Sequence, residues 1–271
     1  METTETEIPP FKGLERPGLS GSSIKSIGLV LMTLDHIHQM FIAHGAPEWL
    51  SWFGRPVALM FVFLCAEGFY YTRNKARYLL QMLAGFLFMS VMNQVLSFLM
   101  PLEEVALINN IFSTLLLAAF YMGAVDLFRQ GIREKKTSAI TLALGGMFLP
   151  LLIGAAFLAA LATENRTAFM VLVFFPNPVT AEGGIIMVFM GLLFYLLRKY
   201  RFAQAGAVLV ISAVSWFRRE PGSLDFQWLM VLAVIPMILY NGKRGSGNKY
   251  FFYIFYPAHI YLLYLTAWLI R

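Results

Sequence analysis

Long apolar segments, separated by short stretches rich in Lys and Arg, run through most of this sequence. Apolar side chains make up 59% of the residues and charged ones only 13%, with a mean hydropathy of +0.67. A soluble domain carries about a quarter charged residues. Backbone surrounded by lipid must satisfy its own hydrogen bonds, and a helix of about 20 apolar residues does so while crossing the bilayer. The pattern therefore predicts an all-α polytopic membrane protein.

The hydropathy pattern divides into about nine transmembrane helices, at 24–43, 49–71, 78–100, 105–128, 138–162, 168–197, 202–217, 224–240 and 250–270. The sixth segment contains Pro-Asn-Pro at 176–178 and Gly-Gly at 183–184, which interrupt a helix. We therefore predict a re-entrant or interfacial piece at 168–175 and a true span from about 183. Irregular backbone at membrane depth needs protein or a cavity beside it, so this break is a predicted pocket wall. Residues 24–271 are predicted to form a single transmembrane domain.

The basic residues orient this bundle. If the N-terminus is cytoplasmic and the nine spans alternate, most of the 21 Lys and Arg residues lie in cytoplasmic segments. We therefore predict a cytoplasmic tail at 1–23 and an extracytoplasmic C-terminus. The net charge of +6 is then a signal of topology, and no nucleic acid partner is predicted. The single cysteine, Cys65, excludes an intramolecular disulfide and any Cys/His zinc spacing, and no metal site is predicted.

Three titratable side chains are predicted at a similar depth in the membrane. Asp35 and His36 lie in the first span, about 16 Å from its start, and His259 lies about 14 Å from the start of the last. An ionisable group at this depth costs about 2.5–3.5 kcal/mol, so it usually faces a cavity or a partner. We predict that these residues converge on a functional site. The alternative is a hydrogen-bonded clamp between two helices.

Other polar residues occur inside the spans. Asp35, His38 and Gln39 share one helical face, whereas His36 points about 100° away. Pro257 cannot donate a hydrogen bond and should leave the Tyr253 carbonyl free near His259. The remaining candidates for the pocket are Arg55, Glu67, Asn109, Asn110, Thr114, Glu182 and Tyr256. For Asn and Thr the alternative is hydrogen bonding between helices, and for Arg55 and Glu67 it is a structural salt bridge.

The segment at 240–249, Tyr-Asn-Gly-Lys-Arg-Gly-Ser-Gly-Asn-Lys, combines glycines with cations on the predicted cytoplasmic side. Backbone N–H groups beside basic side chains suit a phosphate-rich ligand. The candidates are Asn241, Lys243 and Arg244, with Arg73 and Arg77 on the same membrane face. The alternative is that these residues only follow the general basic character of inner loops.

Several motifs, taken together, resemble one family. They are Asp35-His36, Gly-Arg-Pro-Val-Ala at 54–58, Glu67-Gly-Phe before Thr72-Arg73-Asn74, Asn109-Asn110 to Thr114, Glu182-Gly-Gly, and Tyr240-Asn-Gly-Lys-Arg followed by Tyr256-Pro-Ala-His259. Their order and spacing are similar to those of the TraX family, named for the acetylase of the conjugative F-pilus subunit and related to the wider transmembrane acyltransferases. Two departures are His38, where the family commonly has a small residue, and a longer acidic tail.

The resemblance implies an enzyme of the bacterial inner membrane that takes acetyl-CoA from the cytoplasm. It would acylate an amine or hydroxyl of an acceptor in the membrane or beyond it, such as a pilin-like peptide or a glycan. His36 paired with Asp35 is the predicted general base, and His259 is a second essential group. In the rival assignment, His259 is the base and the Asp-His pair orients it. Arg55, or the Asn109 and Asn110 amides, would stabilise the oxyanion.

Two other classes of protein remain open. A proton-coupled transporter also places Asp, His and broken helices near the midplane. It predicts inverted internal repeats, but the Asp-His and Pro-Ala-His motifs have no counterpart in the other half of the chain. A non-enzymatic assembly factor for pili or other surface structures would need no titratable cluster. The cluster therefore favours the enzyme.

Overall fold

The computed structural model describes residues 18–220 and 225–271, and the predicted tail lies largely outside them. The α-helices are α1 Gly21–Phe41, α2 Val57–Tyr71, α3 Lys75–Leu99, α4 Ile111–Glu134, α5 Thr137–Ala162, α6 Arg166–Leu172, α7 Gly184–Leu196, α8 Arg201–Arg218, α9 Val234–Leu239 and α10 Lys249–Leu269. Short 3-10 helices occur at Ile42–His44, Glu48–Gly54 and Gln227–Ala233. The described ranges contain no β-strand, and one isolated bridge joins Leu19 to Tyr240. The all-α prediction is confirmed.

Six helical segments are long and apolar enough to cross a membrane in the described part of the chain. They are Gly21–His44, Glu48–Tyr71, Lys75–Leu99, Ile111–Glu134, Thr137–Ala162 and Tyr250–Leu269. Shorter apolar helices at Gly184–Leu196 and Gln227–Leu239 match parts of the sixth and eighth predicted spans. The predicted seventh span is helical as α8, but it is not among the six. The protein is therefore a multi-pass membrane protein, while the count of nine crossings stays a prediction.

The fourth predicted span, 105–128, starts too early. The chain is irregular from Pro101 to Asn110, and α4 begins at Ile111. The first N–H groups of a helix have no partner inside the helix. Here the Tyr256 hydroxyl accepts the hydrogen bond from the Ile111 N–H at 3.0 Å. Asn109 and Asn110 consequently sit in a loop that lies against the bundle interior, and not on a helical face.

The predicted break in the sixth segment is confirmed. Helix α6 ends at Leu172, and α7 begins at Gly184 after an irregular segment, 173–183, called here the break loop. Asn177 is fully buried in it, and its side-chain oxygen accepts hydrogen bonds from the N–H groups of Val179 and Thr180. Gly183 has φ +76°, a conformation that glycine adopts without strain. The break loop ends directly before α7 and carries Glu182 into the interior.

The ends of the helices form a basic end of the bundle, defined by the starts of α1, α3, α8 and α10 and the ends of α2, α4 and α7. Lys75 of α3 pairs with Asp126 of α4, which also accepts a hydrogen bond from Tyr195 of α7. Arg201 of α8 lies over the Tyr240 ring. The Gly21 N–H donates to the Lys243 carbonyl at 2.8 Å. The segments that the sequence grouped on one membrane face therefore lie together.

Two buried apolar clusters hold the bundle around α2. One joins α2 to α4 and α7 through residues such as Phe63, Met122 and Phe194, and the other joins α1, α3, α4 and α10. Gly191 of α7 lets α4 approach closely, because an added Cβ would lie 2.8 Å from the Ala118 Cβ. Many apolar side chains of α5, including Phe148, are exposed, as expected for a lipid-facing helix.

Candidate functional site

His36 of α1 and His259 of α10 form a hydrogen-bonded pair in the interior. His36 Nδ1 lies 2.7 Å from His259 Nε2, and the two rings stack with centroids 5.0 Å apart. Only 1% of His36 and 7% of His259 is exposed. The predicted convergence of these two residues is therefore present in the fold.

The hydrogen-bond partners of the two histidines indicate which of their ring nitrogens carry protons. His259 Nδ1 lies 2.8 Å from the Phe255 carbonyl, which only accepts, so this nitrogen carries a proton. In neutral His259, Nε2 is then an acceptor, and His36 Nδ1 must donate to it. His36 Nε2 is left with a lone pair, 3.3 Å from the Asn109 amide nitrogen. The carbonyl that orients His259 belongs to Phe255.

Asp35 reaches the histidines indirectly. Gln39 Nε2 donates to Asp35 Oδ2 at 2.7 Å, as their spacing of four residues predicts. The Asn109 amide nitrogen donates to Gln39 Oε1 at 3.1 Å and also contacts His36. A direct pair between Asp35 and His36 is therefore corrected to a relay through Gln39 and Asn109. The physical reason is that consecutive residues of a helix point about 100° apart.

Asn109 is itself held in place from two sides. Its carbonyl accepts a hydrogen bond from the Asn93 side chain of α3 at 3.1 Å. Tyr261 of α10 donates to the Asn93 oxygen at 3.0 Å. The relay is thus anchored to α3 and α10. The Asn110 amide, by contrast, donates to the Phe86 carbonyl and the Ser90 hydroxyl. Asn110 therefore links α3 to the start of α4.

Glu182 enters the same region from the break loop. Tyr256 donates to Glu182 Oε2 at 2.7 Å, and Thr114 donates to the Glu182 carbonyl at the same distance. Tyr256 in turn accepts from the Ile111 N–H. Three predicted pocket residues, Thr114, Glu182 and Tyr256, therefore form one hydrogen-bonded unit beside the histidine pair.

A polar cavity of about 30 Å³ lies between these groups. Its lining residues are Met32, Asp35, His36, Gly54, Val57, Ala58, Phe61, Ile111 and Glu182. Two carboxyl groups and one imidazole thus face a common space inside an apolar bundle. Gly54 is part of the wall because Asp35 lies against it: an added Cβ would be 2.3 Å from the Asp35 Cγ.

Arg55 stands outside this lining. Its Nη1 donates to Gln227 Oε1 at 3.3 Å, and its Nε is buried without a hydrogen-bond partner. Arg55 and Asp35 interact electrostatically, but no salt bridge within 4.0 Å joins these two described residues. The side chain therefore acts on the site from a distance, and its predicted contact with an oxyanion stays a prediction.

Glu67 is not part of the pocket. Its carboxylate pairs with Arg201 at 3.6 Å at the basic end, where Arg201 also lies over the Phe63 and Tyr240 rings. The predicted pocket role of Glu67 is therefore corrected to an ion pair between α2 and α8. The reason is that Glu67 lies near the end of α2, one turn from Tyr71, whereas the polar cavity is lined by Val57 and Ala58 at the start of this helix.

The basic loop differs from its prediction in its backbone. The Lys243 and Arg244 carbonyls accept hydrogen bonds from the N–H groups of Gly21 and Ser22, which caps α1. Asn241 bonds the Gly18 carbonyl and accepts from the Lys243 N–H. The Asn241 amide is thus engaged within the protein, while the Lys243 and Arg244 side chains are exposed.

The predicted role of Arg73 and Arg77 in binding a phosphate-rich ligand stays a prediction. No hydrogen bond or ion pair joins either of them to the described residues 240–248. Lys25 lines an apolar cavity near the loop. In the sequence it counted only as one of the cytoplasmic basic residues. The signal that could have found it is its position, one turn into α1, where it is the helix's single Lys or Arg.

A multi-pass helical membrane protein with a histidine pair and carboxylates around an interior cavity is the class that these observations define. A family model described as "TraX: TraX protein" matches residues 20–267, and the chain belongs to the TraX family. The chain is also 25% identical over 252 residues to a probable fimbrial assembly protein, FimC of serogroup H1, from Dichelobacter nodosus, covering 90% of this chain and 94% of that one. No solved structure matches the chain.

Proposed function

We propose that the protein is an acyl-CoA-dependent acyltransferase that moves an acetyl group from acetyl-CoA to an amine or hydroxyl. The observation that supports this best is the His36–His259 pair, because His36 lines a polar cavity inside the bundle and keeps Nε2 unprotonated. The alternative, a hydrogen-bonded clamp between two helices, does not explain why an imidazole and two carboxyl groups line the same cavity. A neutral imidazole is well suited to accept a proton there.

The reaction needs one base and no redox partner. The acceptor's nitrogen or oxygen attacks the thioester carbonyl carbon as its proton moves to the imidazole. The tetrahedral intermediate then collapses, the carbon–sulfur bond breaks, and the CoA thiolate takes the proton from the imidazolium. The products are the acetylated acceptor and CoA. Asp35 and Glu182 would position the acceptor. The Asn109 amide would stabilise a developing oxyanion by moving one of its two N–H groups away from Gln39 or His36, to which they are now directed.

His36 is the better candidate for the base. It lines the polar cavity, whereas His259 does not, and its Nε2 is unprotonated. The Asn109 amide, 3.3 Å from this nitrogen, would give way to the acceptor. His259 would orient His36 and stabilise the imidazolium, which is the part that a carboxylate plays in a Ser-His-Asp triad. In the rival assignment His259 takes the proton, with His36 as its partner.

The topology predicted from charge supports a cytoplasmic donor. Nine crossings, with the N-terminus inside and the C-terminus outside, would put the basic end in the cytoplasm of a bacterium. Acetyl-CoA would then enter from that end, and the acceptor, a pilin-like peptide or a glycan, would enter laterally or from outside. The acyl group would cross without a transported intermediate.

The fimbrial relative favours a second candidate function. Its printed description is that of a probable fimbrial assembly protein, and it covers 90% of this chain. A non-enzymatic role in assembling pili would use the same membrane fold without any transfer of an acyl group. The two functions differ in one measurable property, the consumption of acetyl-CoA.

The test uses inverted membrane vesicles that contain the protein and radiolabelled acetyl-CoA. We expect label in membrane-bound product or free acetate above that of vesicles without the protein. His36→Ala should lower this rate about 10²–10⁴-fold, the usual contribution of a general base. The matched control is His38→Ala in the same helix, because His38 hydrogen-bonds the Ala46 carbonyl and does not line the polar cavity. Equal rates in vesicles with and without the protein would leave the assembly role as the better explanation.

A further inference from the structure

A second cavity, of about 80 Å³, lies next to the polar one. Apolar and aromatic side chains form most of its wall, which consists of Lys25, Leu29, Phe61, Leu64, Cys65, Tyr78, Met82, Ile111, Phe112, Leu115, Phe252, Tyr253 and Tyr256. The apolar cavity shares Phe61 and Ile111 with the polar cavity. These two side chains therefore separate an apolar chamber from the chamber that His36 faces.

Lys25 marks the basic end of the apolar cavity. It lies one turn into α1, and His36 is about 16 Å farther along the same helix. Its ammonium group is 5.2 Å from the centre of the Phe252 ring. No carboxylate of the described residues lies within 4.0 Å of it. A partly buried cation with only an aromatic face beside it lacks a neutralising partner.

Arg244 places a second cation near the first. The Ser22 N–H donates to the Arg244 carbonyl at 2.9 Å, which holds residue 244 against the first turn of α1. The Arg244 and Lys25 side chains repel each other electrostatically. Two like charges at the end of one apolar cavity are unfavourable unless an anion lies between them. Phosphate is the anion that Lys and Arg commonly share.

We propose that Lys25 and Arg244 bind a phosphate group of acyl-CoA and that the apolar cavity holds its pantetheine arm. This arm is a narrow chain of methylene and amide groups, with a phosphate at one end and the thioester at the other. The thioester would pass between Phe61 and Ile111 and reach the polar cavity. The inference rests on the proposed function and names the donor side of the same site.

The shared chemistry is a phosphate ester that carries a long flexible chain, and a phospholipid from the bilayer has it too. Purified Lys25→Gln and Arg244→Gln proteins are titrated calorimetrically with CoA, phosphopantetheine and pantetheine. Each variant should bind the two phosphorylated ligands about ten- to hundredfold more weakly than wild type, which is the loss of one charged hydrogen bond. Pantetheine should bind equally to all proteins. Lys199→Gln, an exposed change at the same basic end, is the control.

Three other outcomes would overturn the inference in distinguishable ways. If wild type and both variants bind CoA equally, the phosphate lies elsewhere, although the proposed function stands. If wild type binds no CoA, the proposed function fails together with its donor site. If native mass spectrometry shows that only phospholipid retention falls in the variants, the occupant is a lipid. Thermal unfolding of each variant near the wild-type temperature excludes misfolding as the cause.

Discussion

At the scale of single residues, the site requires glycine at position 54, because no side chain fits beside Asp35 there. A Cβ at this position would lie 2.3 Å from the Asp35 Cγ and 2.4 Å from its Oδ2. Carbon atoms cannot approach this closely, so Asp35 would have to move. Because Asp35 holds Gln39, and Gln39 contacts Asn109, a displacement of this carboxyl group reaches the contact of Asn109 with His36.

The first prediction concerns this close contact. Gly54→Ala should destabilise the protein by about 1–3 kcal/mol through overpacking, and it should lower acetyl transfer more than tenfold. The control is Gly206→Ala in α8, where an added Cβ meets no atom within 4 Å. Thermal unfolding and the vesicle assay measure the two effects. A Gly54→Ala protein with wild-type activity would show that the relay from Asp35 does not matter for transfer.

The sequence was a good guide to residue positions along the helices and a poor one to residues in loops and to ion pairs between helices. Depth along α1 and α10 predicted that His36 and His259 meet, and a spacing of four predicted that Gln39 binds Asp35. Asn109 could not be placed in this way, since it reaches His36 from a loop whose path depends on packing. For Glu67, burial within an apolar segment suggested a pocket, yet Arg201 lies 134 positions later in the chain and gave no local signal.

Among the structural elements, the break loop has the clearest effect on the site. Thr114 of α4 donates to the Glu182 carbonyl at 2.7 Å and thereby fixes where the loop ends. Gly154 of α5 makes room for the loop, because an added Cβ there would lie 3.2 Å from Val179. The position of the Glu182 carboxyl group beside Tyr256 is therefore set by α4 and α5 together.

A second prediction tests this anchoring. Thr114→Val keeps the shape of the side chain but removes its hydroxyl, leaving the Glu182 carbonyl without this donor. We expect a loss of about 1–3 kcal/mol in stability and a several-fold loss in acetyl transfer. Thr163→Val is the matched control, because the exposed Thr163 hydroxyl donates to the Ala159 and Ala160 carbonyls in the last turn of the preceding helix. Equal activity of both variants would separate the break loop from the reaction.

Helix boundaries were predictable where the chain itself stops the helix. The prolines and glycines of 176–184 marked the break, and the structure has it there. The start of α4 was missed, because nothing in 105–110 forbids a helix, and the loop forms only when Tyr256 and Phe86 supply partners for Ile111 and Asn110. Local sequence thus fixes interruptions better than it fixes where a helix begins.

The whole molecule has two unlike ends, and this gives the third prediction. On a Cys65→Ser background, single cysteines replace Ser246 at the basic end and Glu164 between α5 and α6. Both positions are exposed in the structure. With the basic end in the cytoplasm, a membrane-impermeant thiol reagent should label Glu164→Cys in intact cells and Ser246→Cys only in inverted vesicles. Unmodified Cys65→Ser protein controls for background.

Labelling of both cysteines from one side would contradict the alternating topology. The sixth predicted segment would then be the first to revise, since α6 has only seven residues and the break loop separates it from α7. Labelling with the sides reversed would keep the number of crossings and invert the orientation. In that case a cytoplasmic donor could not enter at Lys25, and the donor site would need another location.

The bond between His36 and His259 joins residues that are 223 positions apart in the chain. A ribosome adding 5–20 residues per second needs roughly 10–45 s to travel that far. During this interval α1 is already made, while its imidazole lacks the partner that orients it. A partly inserted chain therefore lacks the histidine pair, which forms only when α10 reaches its place beside α1.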